Sequence, residues 1–137
     1  MNNQEIFDEL SFYTLSLGDE KFIHQHVVDA FTAQSATMQT NPIKIYFALV
    51  GLHLFVEKNF TGKQVQNIHN LLSKRHKKFG IIHIPETKGE INISDVLKAT
   101  PGVEREIMIK FWCASIWEAY SSEHKKIMEY LALVKTT

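Results

Sequence analysis

Apolar positions along the chain recur at helical steps, interrupted by short polar breaks. Ile6, Leu10, Tyr13 and Leu17 predict a first helix over residues 5–17. Glu5, Asp8 and Glu9 stand in its first turns, where carboxylates suit the positive end of the helix dipole, and Gly18 ends it. Asp19 is placed to cap a second helix over 20–34. On that helix Ile23, Val27, Phe31 and Gln34 share one face, and Phe22, His26, Asp29 and Ala33 share another. Both faces are largely apolar, so it should be covered on two sides. Asn41-Pro42 joins an N-cap to a first-turn proline and starts a third helix that runs to Lys58. From Ile45 to Val56 this helix is apolar nearly all round, which puts it at the centre of a bundle. The run is shorter than the ~20 residues a membrane span requires.

Thr61 and Gln64 form a capping box for a fourth helix, with Val65, Ile68 and Leu72 as its buried stripe. That helix ends in Lys74-Arg75-His76-Lys77-Lys78, followed by Gly80. The period lapses between Ile81 and Ile93. Two short β-like runs there, around Pro85 and Gly89, predict a small hairpin or an extended loop crossing the bundle. Ser94-Asp95 begins a short helical turn that reaches Ala99. Thr100-Pro101 repeats the cap-then-proline start, and helical spacing continues almost to the end. One helix over 101–135 would be about 50 Å long. A compact chain of this size has a radius of gyration of only about 14 Å. A break is therefore expected near Ser121-Ser122. The pattern predicts a mainly α fold: one helical domain over 1–137, a compact bundle of about five to six helices with a short irregular or β-like insertion at 81–93.

Composition narrows the classes. The chain has 137 residues, 45% hydrophobic and 22% charged, enough for one core without staples. Its formal net charge is +0, which argues against a generally basic nucleic-acid binder. Its one cysteine, Cys113, allows neither an internal disulfide nor a CxxC zinc motif, and suits a reducing, cytoplasmic setting. The N-terminus carries no signal-peptide pattern. The neutral total conceals a polarised layout. Residues 1–41 hold six acidic and one basic side chain, residues 42–80 one acidic and seven basic, and residues 81–137 eight and seven. This favours docking of the first helical pair on the second, or on a symmetry mate.

Candidate chemistry rests on the seven histidines. His24 and His26, two apart on a helix, point in different directions, whereas His26 and Asp29 share a face. An Asp-oriented His serves as a metal ligand or general base, or is simply a satisfied buried ring. His53 has Glu57 one turn on and reads as a packed residue. His69 adjoins the Val65/Leu72 stripe. His124 sits in an apolar, aromatic stripe with Cys113, Trp117, Tyr120, Met128 and Leu131. His76 and His83 read as surface or loop positions. A first-row metal needs three or four donors converging from several elements. His26 and His124 are the metal candidates, although HExxH, HxxxH and paired ExxH are absent. No P-loop, GxGxxG or GxSxG occurs, and Cys113 reads as packed.

Tyr13-Thr14-Leu15, Gly18-Asp19, Phe22 to Phe31 with Gln34, Ala48 to Leu52, Val56-Glu57, Gly62 with Gln64-Val65-Gln66 and His69, and Trp112-Cys113-Ala114-Ser115 with Trp117-Glu118-Ala119 together carry a likeness. The chain resembles an uncharacterised family of small bacterial helical proteins, a domain of unknown function. The resemblance implies a bacterial, cytoplasmic protein and marks His24, His26, Asp29, Glu57, His69 and the Trp112–Trp117 segment. It supplies no activity. The leading expectation is an interior pocket built from His24, His26, Asp29, His69 and His124, with Glu57 and Trp117 as further ligand-binding candidates, taking a small ligand or a divalent ion. The alternative is a homodimeric structural module without metal. A metal-dependent hydrolase or transferase comes third.

Overall fold

The computed structural model describes residues 1–75 and 79–134. Among these, seven α-helices and one 3-10 turn follow in order: α1 (Asn3–Ser16), α2 (His24–Ser35), α3 (Pro42–Lys58), α4 (Gly62–Ser73), α5 (Ile93–Lys98), α6 (Val103–Ala119), the turn Ser121–Glu123, and α7 (His124–Leu131). No strand occurs among the described residues. None of the described helices is long and apolar enough to cross a membrane. The mainly α reading holds. His76, Lys77 and Lys78, the last three residues of the Lys74–Lys78 run, lie outside the described residues.

The apolar all-round helix occupies the centre. Helix α3 buries Leu49, Val50, Leu52 and Leu54 and packs on α2, α4, α6 and α7. Its start is as predicted, with Asn41 Oδ1 accepting from the Ile43 amide and Pro42 in the first turn. The α4 capping box is also present: Thr61 accepts from the Gln64 amide, and the Gln64 side chain accepts from the Thr61 amide. The break after α6 falls at the two serines, and the 3-10 turn sends α7 back against α3. Burying full-length apolar faces of α2, α3 and α6 against one another is the main stabilising term, at roughly 25 cal/mol per Å² removed from water.

Three starts differ from the sequence reading. Helix α2 begins at His24, because Phe22 adopts φ 42, a left-handed conformation that no α-helix passes through. Asp19 instead accepts from the Phe22 amide and closes a turn. The cause is tertiary. The Gly62 amide donates to the Lys21 carbonyl at 2.6 Å, and a Cβ on Gly62 would overlap the Phe22 carbonyl. Helix α5 is capped by Asn92, two residues before the expected start at Ser94-Asp95, with Asp95 as the reciprocal partner. Helix α6 starts at Val103 behind Gly102, whose φ of 102 turns the chain beyond Pro101.

The 81–93 insertion is the extended loop, not the hairpin. Its backbone groups are met by side chains instead of a partner strand. Gln34 Nε2 donates to the carbonyls of Lys88 and Ile91, Glu123 accepts from the His83 amide, and Lys126 donates to the Ile81 carbonyl. Gln34 is also the acceptor for Trp112 Nε1 at 2.8 Å, so one amide ties the loop to α2 and α6.

The first helical pair docks on the second through α2, as the charge layout favoured, but among the described residues no ion pair joins them. The pairs present are His53–Glu57 and Lys126–Glu123, each within four residues. Apolar packing makes the α2–α3 and α2–α4 contacts.

Candidate ligand clefts on helix α2

Helix α2 carries polar residues into the core on two sides, and a cleft opens on each. The larger, about 360 Å³, lies between the turn before α2, the α3–α4 connection and the start of α6. His26 lines it. Its ring is 2% exposed and stacks on Phe55 with centroids 3.6 Å apart and planes 6° from parallel. His26 Nδ1 is buried without a hydrogen-bond partner. Burial, and then the nearby Lys110 cation, lower its pKa to about 3, so the ring is neutral at physiological pH. An unpartnered buried acceptor costs less than an unpartnered buried donor, which places the ring proton on Nε2. Nε2 is then the nitrogen that a molecule in the cleft can reach. Ile23, Phe55, Phe60, Val103 and Ile107 give the apolar walls.

Asp29, one turn later on α2, lines the second cleft with His69, Gln25 and Lys44. This cleft measures about 340 Å³ and lies between α2, α3 and α4. Asp29 is 3% exposed. Its Oδ1 accepts from Gln25 Nε2 at 3.1 Å, and its Oδ2 has no partner. The carboxyl lies directly against Gly51 of α3, where a Cβ would overlap it. Burial pushes Asp29 well above the usual carboxylate range, against the smaller opposing effect of the Gln25 bond. His69 Nε2 donates to the Phe47 carbonyl at 2.8 Å, and burial lowers its pKa.

The remaining predicted residues lie elsewhere. Glu57, Trp117 and His124 meet at the far end of α3, together with His53. Glu57 Oε2 accepts from His53 Nδ1 at 2.8 Å and from Trp117 Nε1 at 2.7 Å. The His53 bond is the largest of the effects that hold Glu57 below its ordinary pKa. His124 stacks on Trp117 at 3.6 Å and donates from Nε2 to the Trp117 carbonyl. His24 Nδ1 lies 3.0 Å from Thr14 Oγ1 on α1. Cys113 is buried, donates to the His26 carbonyl, and is pushed to a high pKa by burial and then by Asp29.

The single pocket expected from His24, His26, Asp29, His69 and His124 is thus divided. Asp29 and His69 share a cleft, His26 lines another, His124 belongs to the Trp117 network, and His24 faces α1. The periodicity assigned each residue to a helix face, but the pairing of helices decided which faces met. Among the described residues, no group of three or more His, Cys, Asp or Glu is arranged to hold a metal ion. Sequence reading missed Phe55, Lys110, Ile107 and Gly51 as site residues. Gly51 carried a usable signal: a glycine inside an apolar helix costs roughly 1 kcal/mol relative to alanine, so a close approach had to justify it.

A comparison with curated proteins finds no match, and neither does a comparison with solved structures. A family profile covers residues 4–121, from α1 through the end of α6, and so includes both clefts and the Glu57–Trp117 pair. The chain belongs to DUF5946, a family of unknown function.

Proposed function

We propose that this protein is a small-ligand-binding helical module and that the His26 cleft is its binding site. One observation carries the reading: a neutral, nearly fully buried imidazole whose ring makes no hydrogen bond among the described residues, Nδ1 being buried and Nε2 left for a ligand, lines the larger, apolar-walled cleft. Small-molecule sites are concave and mainly apolar, with a few convergent polar groups, and this cleft has that composition. Its volume of about 360 Å³ is well above the ~150 Å³ of a cavity that holds benzene.

The test is a backbone amide NMR titration with a set of small neutral amphipathic molecules, beginning with octanol. Shifts centred on His26, Phe55 and Ile107 are expected. Ile107→Trp, at a half-exposed position on the cleft wall, should fill the space and remove them while the fold is kept. Shifts scattered over the surface, or unaffected by Ile107→Trp, would contradict the reading.

Self-association is the second reading, favoured by a different observation. Val103, Ile107 and Phe111 fall one turn apart on α6 and are 71%, 49% and 58% exposed, an apolar ridge along its outer face. Light scattering over a concentration series tests it. Phe111→Lys should shift a dimer towards monomer, and a monomer at every concentration would remove the reading.

A further inference from the structure

The electrostatics of the His26 cleft identify a ligand class, an inference that rests on the cleft being a ligand site. Two cations, Lys21 and Lys110, line it, against one carboxylate, Glu106. Among the described residues neither lysine is in an ion pair. Lys110 stands one turn after Glu106 on α6, yet its ammonium is committed to the Asn59 amide oxygen at 3.1 Å and lies 5.1 Å from the centre of the Phe55 ring. Phe55 is the ring on which His26 stacks. The cleft therefore combines an aromatic floor, a neutral imidazole N–H and an ammonium with two donors still unused.

We propose that the His26 cleft selects an organic anion, a molecule with an apolar body and a carboxylate head, the head held between Lys110 and His26. A carboxylate accepts from both donors, and neither of them needs to change protonation state. Charge-assisted bonds of this kind are about twice as strong as neutral ones. The walls Ile23, Phe60 and Ile107 take the apolar body. An amine of the same shape meets two cations, Lys21 and Lys110, against the one carboxylate, Glu106. An alcohol gains the walls but not the charge.

The experiment is calorimetric titration of the full chain with octanoate, octanol and octylammonium at low and at physiological salt. Octanoate should bind about ten-fold tighter than octanol, a gap that narrows as salt screens the ammonium. Octylammonium should bind weakest. Lys110→Met, which removes the charge from an unbranched side chain, should abolish the ten-fold preference for octanoate over octanol. Equal affinity for all three probes overturns the anion assignment while leaving the cleft as a ligand site. Binding of none by folded protein overturns both. Octanoate binding that survives Lys110→Met and Ile107→Trp together lies elsewhere, and also overturns the proposal.

Discussion

Two histidine stacks in this molecule are nearly identical as ring geometry and opposite in every other respect. His26 lies on Phe55, and His124 lies on Trp117, each with centroids 3.6 Å apart and planes within 9° of parallel. Around His124 the named donors have acceptors. Its Nε2 donates to the Trp117 carbonyl, the Trp117 indole donates to Glu57, and Glu57 also accepts from His53. Around His26 a ring nitrogen is left over, and a cleft opens beside it. A stack alone therefore does not mark a site. Unsatisfied polarity next to open space does, because buried polar groups are otherwise paired. The Trp117 network is a structural joint between α3, α6 and α7. The His26 stack is the side of the molecule equipped to meet something else.

The largest expected effect comes from the α2–α3 contact at Asp29, one turn on from His26. Gly51→Ala drives a Cβ into the Asp29 carboxyl, which must swing towards the second cleft or force α2 and α3 apart. A loss of about 3 kcal/mol is expected by urea denaturation, at the upper end for overpacking. A loss under 1 kcal/mol would show that the α2–α3 contact is looser than described.

The Trp117 side breaks differently. Glu57→Ala strips the acceptor from the buried His53 and Trp117 N–H groups, at a cost of about 2 kcal/mol. Trp117 fluorescence should change with it. Ligand binding in the His26 cleft should not, which separates the two regions.

The smallest effects carry the sharpest contrast, since they should differ in sign. His124→Phe keeps the stack but loses a hydrogen bond, and should destabilise by about 1 kcal/mol. His26→Phe keeps the stack and removes an orphan nitrogen, and should leave stability unchanged or raise it by up to about 1 kcal/mol. The same variant should flatten the acid limb. The native His26 pKa of about 3 is below the unfolded value. The unfolded chain therefore binds a proton that the native state does not. The stabilisation from this group is full above pH ~6.5 and is lost as pH falls towards 3, at up to about 1.4 kcal/mol per unit. Asp29 works the other way. Its raised pKa favours the native state at low pH and erodes stability as pH rises from the unfolded carboxylate value towards its own.

Local rules carried most of the fold. The Asn41-Pro42 start, the Thr61–Gln64 box and the break at Ser121-Ser122 are set by a few neighbouring residues, and each is where the sequence reading placed it. The start of α2 was not legible, because the left-handed Phe22 is imposed by the approach of Gly62 from another helix. The site divides in the same way. His26, Asp29, His69 and His124 stood out as polar residues on apolar faces. Their division between clefts depends on which helices pack together, and periodicity does not encode that. Phe55 and Lys110 read as an ordinary aromatic and an ordinary cation until α3 and α6 brought them beside His26.

If His26 is a neutral ring at a ligand cleft, imidazole nitrogen NMR will read both properties at once. His26 should keep an Nε2–H tautomer without titrating down to about pH 4. Its nitrogen shifts should move on addition of octanoate, while those of His124 stay fixed. A His26 that titrates near 6.5, with shifts indifferent to octanoate, would contradict both.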